Sequence, residues 1–296
     1  MATILRGDLY ALKINFKRDT PDPSRVFRAM TELIESFTNL DKELVQSIDI
    51  HVEPVILLED IEASSLKVWL RTALQAVDDT GLKQGDWKKV VGEFLYKSKY
   101  RIIDWTNGKT SITNRADVQQ LEAELLRSAE ETDVKRLASY MPISTDGLLR
   151  SIQSINRSLA QLSKEDSVEL QTPIGSVPFN MDFVITPASL RELLVKESLT
   201  NEETAILKVK KPDYLGESMW EFRYQQRSIV AKILDLDWLR DFQDRKTDVR
   251  PQDALRVQIR VVVHYGFSGE VVDIDYFILK VIEVIPGENH EQRRLL

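Results

Sequence analysis

Two acidic pairs, Asp235-Leu236-Asp237 and Asp273-Ile274-Asp275, are the residues whose type and spacing come nearest to chemistry in this chain. Each follows apolar residues of strand character, and carboxylates at i and i+2 of a strand point to one side. That is how oxygen ligands are offered to Mg²⁺ or Mn²⁺ for phosphoryl-transfer or nuclease chemistry. Aspartate also crowds strand ends, so the plainer reading places both pairs on solvated faces, and it carries more weight. A second grouping is basic: Lys208, Lys210 and Lys211, with Arg223 and Arg227 on the next strand, interleaved with Trp220, Phe222 and Tyr224. Cations alternating with aromatics can hold a single nucleic-acid strand. Strand solubilisation and pairing with the acids of the same segment account for them more simply. Glu59-Asp60-Ile61-Glu62 can hold a cation or a basic partner, and reads first as a charged turn after an apolar strand.

Other chemistries lack their residues. The chain has no cysteine, which removes disulfides, thiolate nucleophiles, iron–sulfur clusters and thiolate zinc sites together. Its three histidines, His51, His264 and His290, are widely separated, and His51 and His264 read as surface or strand-edge residues. Gly216-Glu217-Ser218-Met219-Trp220 opens like a nucleophile elbow, but Trp220 stands where the strained bend needs a small residue. The 11 glycines are dispersed, with no phosphate-cradling pattern. Gly216 to Ser218 followed by Asp235-Leu236-Asp237 resembles the Gly-Ser and Asp-x-Asp layout of nucleotidyltransferases, over a few residues and with a long separation. No cofactor and no resident metal is expected.

With 296 residues, 43% hydrophobic and 29% charged, the chain has the composition of a soluble globular protein long enough for two domains. The net charge of −7 is uneven: residues 111–204 hold 9 basic and 15 acidic residues, while 205–296 hold 15 of each. No segment is net basic, so nucleic acid is not the favoured partner. The first twenty residues are interrupted by Arg6, Asp8, Lys13, Lys17, Arg18 and Asp19, so neither export nor a membrane span is expected, and the expected compartment is the cytoplasm.

The elements that would position these residues follow from periodicity. Leu9, Ala11, Ile14 and Phe16 predict an opening strand, and Asp22-Pro23 a helix start ahead of Val26, Phe27, Met30, Leu33, Ile34 and Phe37 on one face. Ile48 to Leu58 predicts strand, Leu66 to Val77 a helix, although Leu66, Val68 and Leu70 also allow a strand, and Trp87 to Ile102 a further amphipathic helix entered at Asp86. Two helices, over 116–141 and from Ser144 to Leu162, predict a hairpin with a narrow apolar seam. Val168 to Val184 reads as a hairpin broken at Thr172-Pro173-Ile174-Gly175, with a short helix from Pro187 to Lys196. Five strands then follow, Ile206–Val209, Trp220–Tyr224, Ile229–Leu234, Ala254–Val263 and Val271–Val284, with one helical turn around Trp238 to Phe242. Short strands with tight turns predict a small β-barrel.

The sequence therefore predicts an α+β protein in three segments: a mixed strand–helix layer over 1–110, an acidic helical hairpin and connector over 111–204, and a five-stranded β-barrel-like domain over 205–296. The leading functional expectation is a non-enzymatic protein-interaction or assembly subunit, possessing a protein partner or associating with itself. The alternatives are a Mg²⁺- or Mn²⁺-dependent enzyme using Asp235, Asp237, Asp273 and Asp275, and a single-stranded nucleic-acid module using Lys208, Lys210, Lys211, Arg223 and Arg227.

Overall fold

A computed structural model describes residues 9–17, 22–48, 51–62, 65–76, 87–112, 114–137, 139–214, 219–267 and 269–287. The chain is α+β and divides into two units, Met1–Leu193 and Leu194–Leu296. Arg6 and Asp8, the Asp86 helix entry, Gly216 to Ser218 and His290 lie outside the described residues.

The first unit runs β1 (Leu9–Asn15), α1 (Ser24–Gln46), β2 (Val52–Glu62), β3 (Leu66–Ala76), α2 (Trp87–Thr106), α3 (Arg115–Glu131), α4 (Thr145–Leu159), β4 (Ser167–Thr172), β5 (Gly175–Pro178) and α5 (Pro187–Leu194). Its strands form one antiparallel sheet in the order β2-β3-β1-β4-β5. Strand β1 is central, and its alternate residues Tyr10, Leu12 and Ile14 are buried beside Leu70, Val68 and Leu66 of β3. The helix expected over Leu66 to Val77 is thus a strand. Both periods are present in those residues, and the pairing of Val68 and Leu70 with strands on both sides, and of Leu66 with β1, decides for the period of two. The acidic run Glu59-Asp60-Ile61-Glu62 is not a turn either. It continues β2 past an irregularity between Leu58 and Asp60.

Helix α1 buries Val26, Met30, Leu33, Phe37, Leu40 and Leu44, while Phe27, expected on the same face, is 64% exposed. Helix α4 packs along α1, and α3 along α2, so the chief partner of each lies outside the expected hairpin. The reason is the width of the α4 stripe: Leu148, Leu149, Ile152, Ile155 and Leu159 are all buried, more than a thin two-helix seam can cover. Small residues bring the α1–α4 backbones close, with Ser36 Oγ 2.7 Å from Ser154 Oγ and 3.2 Å from Ser158 Oγ.

Two carboxylates tie this unit together. Asp41 of α1 and Lys99 of α2 are buried, with Lys99 Nζ 2.8 Å from both Asp41 oxygens; Thr72 of β3 donates to the same carboxylate at 2.7 Å. Asp166, just before β4, accepts from the Ser163 N–H and Oγ–H, both at 2.8 Å, from the Lys17 N–H at 3.1 Å, and from the Arg25 guanidinium. Burial alone would raise the Asp166 carboxyl. The donors from Arg25, Ser163 and Lys17 outweigh it and hold the group down at about 2.

The second unit runs β6 (Glu197–Lys211), β7 (Met219–Tyr224), β8 (Arg227–Ile233), α6 (Leu236–Gln243), β9 (Ala254–Tyr265) and β10 (Val271–Ile285). The strands close into a barrel in the order β10-β8-β7-β6-β9, antiparallel except for β8 with β10. With a helix between the third and fourth strands, this is the connectivity of the OB-fold. Alternation sets its interior: Leu207, Val209, Trp220, Phe222, Ala231 and Ile233 point inward and are buried. Helix α6 plugs the barrel with Leu239 and Phe242, the Phe242 ring standing edge-on to Trp220 at 4.7 Å.

Two measurements test these ties. Lys99→Ala leaves a bare buried carboxylate and is expected to cost about 3–5 kcal/mol in urea unfolding, most of it recovered in the Asp41→Leu, Lys99→Met double variant. Asp166 has a lowered folded pKa, so its contribution is complete above pH of about 4 and is lost as pH falls toward about 2. Allowing for solvent screening on its Arg25 side, acid unfolding of the wild type should lose about 1–2 kcal/mol more over that window than Asp166→Asn.

Candidate anion-binding face of the barrel

The outward residues of β6, β7 and β8 are the complement of the buried set. Between Leu207 and Val209 stands Lys208, after Val209 stands Lys210, and next to Phe222 stands Arg223, all exposed. Register places Lys208 opposite Arg223, and Arg223 opposite Ser228. These residues line a concavity of about 460 Å³ together with Gln226, Pro251 and Gln252, and its lining contains no carboxylate. Lys210 Nζ donates to Ser228 Oγ at 2.9 Å and lies 3.8 Å from Glu221 on the rim. Three cations on one wall of a concave surface, with hydroxyl and amide groups between them, can hold the oxygens of a phosphate or carboxylate.

The backbone around this concavity is held in an unfavourable region. Gln226 and Gln252 have φ of 66° and 84°, and Gln225 beside Gln226 has 45°. The first pair of adjacent glutamines forms the two-residue β7–β8 turn, where Asn-Gly is the low-energy choice. Gln252 is kept in place by its N–H to Val209 O at 2.8 Å, and the buried Asp253 carboxylate takes the N–H groups of Arg250 and Gly287 at 2.8 and 2.9 Å. The Pro251-Gln252-Asp253 segment is therefore the brace of one wall.

Of the five basic residues singled out by the sequence, Lys208, Lys210 and Arg223 come together, while Lys211 faces Glu221 in register and Arg227 begins β8 outside the lining. The expected aromatic platform does not form. Trp220 and Phe222 lie in the barrel interior, because period-two alternation sends them opposite to the cations, and Tyr224 is bound by Glu203.

The four aspartates are not gathered. Asp235 and Asp237 open helix α6 and lie on no strand: Asp235 caps it, accepting from Trp238 N at 3.3 Å, and takes Val281 N at 3.1 Å, while Asp237 sits 3.5 Å from Arg240. Asp275 precedes Val281 by six residues on β10, so the two pairs are separated by roughly 20 Å of strand. In β2, Glu59 binds Arg71 at 2.8 Å and Glu62 takes Trp69 Nε1 at 2.6 Å. Among the described residues no group of three or more His, Asp and Glu is placed to hold a metal ion.

Sequence reasoning missed one contact. Ser198 Oγ lies 2.7 Å from His264 Nδ1, and His264 Nε2 lies 3.1 Å from Asp275 Oδ2, across β6, β9 and β10. The order serine, imidazole, carboxylate can pass a proton. Acyl transfer also needs N–H groups turned toward the serine oxygen, as at a strand-to-helix elbow. Ser198 instead sits in regular β6–β9 pairing, where side chains stand perpendicular to the N–H groups in the sheet plane. No sequence signal joins residues 66 positions apart; only the strand register does.

Comparison with protein families, with curated proteins and with solved structures finds no match. Among the described residues no helix is long and apolar enough to cross a membrane. The geometry predicts that Mg²⁺ or Mn²⁺ leaves the melting temperature unchanged. Asp235→Ala should cost about 1 kcal/mol through its lost cap, and Asp237→Ala less than about 0.5 kcal/mol. A Mn²⁺-dependent rise that Asp237→Ala removes would restore the metal reading.

Proposed function

We propose that this chain is a non-enzymatic binding and assembly subunit whose barrel grips the phosphate backbone of a single-stranded nucleic acid. The observation that carries the reading is the concavity on the outer face of β6, β7 and β8, lined by Lys208, Lys210 and Arg223 without a carboxylate. The barrel connectivity supports it, since in OB-folds the face of the second and third strands is a binding surface. So does the strained backbone at Gln226 and Gln252, because such conformations persist where a site has to be held in shape.

Equal counts of acids and bases over 205–296 argued against nucleic acid. The acids of α6 pair locally, Asp237 with Arg240 and Asp241 with Lys246, on a different element from the cationic face, and Glu221 is the acid at its rim, 3.8 Å from Lys210. With Trp220 and Phe222 turned inward, recognition rests on phosphate contact and not on base stacking, so binding is weak and indifferent to sequence.

Fluorescence anisotropy with labelled oligo-dT tests this. Three phosphate contacts predict a slope of log K against log salt of about −2, and Lys210→Ala should make it shallower by about 0.7. Lys208→Glu with Arg223→Glu should abolish binding while leaving circular dichroism unchanged. Binding that ignores salt, or survives both charge reversals, would refute the reading.

A further inference from the structure

Strand β6 leaves most of one edge open. Strand β9 pairs with one side of it from Glu197 to Lys208 without a register shift, while β7 takes the other side only from Lys208 onward. Among the described residues no strand covers that side over Glu197–Leu207, and Glu197 to Thr204 are all exposed. Edges of this length are ordinarily blunted by lysine, proline or a bulge. The edge strand β2 of the first unit carries Pro54 and an irregularity between Leu58 and Asp60, whereas β6 has no lysine, proline or bulge from Glu197 to Leu207. Two of its acids are already engaged: Arg260 Nη2 lies 2.7 Å from Glu202, and the Tyr224 hydroxyl donates to Glu203.

We propose that this edge pairs with the same edge of a second copy of the chain, antiparallel, with Asn201 on the two-fold axis. Opposite residues of an antiparallel pair share a sheet face, and a two-fold axis normal to the sheet keeps each face on its own side, so the axis must pass through a residue position. Charge and the position of β7 then select which residue. Centring on Glu202 or Glu203 sets a carboxylate against itself, and centring on Thr200 sets Glu197 against Glu203. Centring on Thr204 or beyond runs the added strand into β7 at Lys208. Centring on Leu199 pairs no more than Glu197 to Asn201. With Asn201 on the axis, Glu197 meets Ala205, Ser198 meets Thr204, Leu199 meets Glu203 and Thr200 meets Glu202, so no like charges oppose and hydroxyls face a hydroxyl or a carboxylate. The added strand then begins opposite Ala205, before β7 takes over. A strand pair so long and regular supplies the backbone hydrogen bonds that the open edge lacks.

The chain has no cysteine, so Asn201→Cys is a direct probe of the register. Sedimentation equilibrium of the full chain should show a monomer–dimer equilibrium. Asn201→Cys should form a disulfide-linked dimer on mild oxidation, since directly opposite Cα atoms lie about 4.5–5.5 Å apart, within disulfide reach. Glu197→Cys, also at an exposed position, meets Ala205 and should stay unlinked. Asn201→Asp and Asn201→Lys should each raise the dimer dissociation constant about fivefold with circular dichroism unchanged, and an equimolar mixture of the two should restore the dimer. A chain that stays monomeric at high micromolar concentration, crosslinking as fast through Glu197→Cys as through Asn201→Cys, or a dimer indifferent to both charge variants would each overturn the proposal. Lys208→Glu with Arg223→Glu should leave the dimer intact, so this test stands apart from that of the barrel face.

Discussion

The first unit is organised around one buried ion pair. Asp41 and Lys99 are each fully enclosed, and burial pushes the Asp41 carboxyl up and the Lys99 ammonium down, so each ion is tolerated only because the other is there. The pair joins α1 to α2, Thr72 brings in β3, and the ammonium lies 4.0 Å above the Tyr10 ring of β1. A hydrophobic contact accepts many depths and angles; this one accepts few, because a slip of either helix strands a charge in apolar surroundings. The pair thereby fixes which part of the sheet the helices cover. Their cover stops short of Leu58 and Ile61, and that shortfall creates the apolar edge of β2.

In the second unit the deciding constraint is closure. A barrel of five strands has room inside for Trp220, Phe222 and Phe242 only if alternation sends every second residue outward, and the outward residues that line the concavity are cations and polar groups. The same pleat that builds the core therefore strips the surface of aromatics. What it leaves for recognition is charge at fixed spacing, which suits a repeating anion better than a base or a sugar ring.

The architecture was largely legible in the residues. The opening strand, the helix from Pro23, the Ser144 cap and four of the five barrel strands stand close to where periodicity and turn residues put them, while β6 begins at Glu197, nine residues ahead of the expected Ile206, because its polar first half shows no apolar alternation. Leu66 to Ala76 failed because its residues satisfy both periods, and the choice lies with β1 and β2, distant in sequence. The α3–α4 hairpin failed because a stripe's width is visible in sequence while its partner is not. At the candidate site, the cations were visible as a run, but their separation from Trp220 and Phe222 required knowing that the strand was regular. Ser198, His264 and Asp275 had no sequence signature at all, since register alone brings them together.

Of the five non-glycine residues with positive φ, Gln226 and Gln252 line the cationic concavity, while Asp133 and Arg245 lie outside its lining. Natural sequences keep turn chemistry and fold in agreement, and depart from it where function imposes a second demand. Glycine at positions 226 and 252 would relieve the backbone there, yet glutamine occupies both and lines the cationic concavity. Likewise, an edge strand is best hidden or charged throughout, yet β2 keeps Leu57, Leu58 and Ile61 in the open between its acids. The glutamines lie in the second unit and the exposed apolar residues of β2 in the first, so each unit carries one of these departures from its local rule.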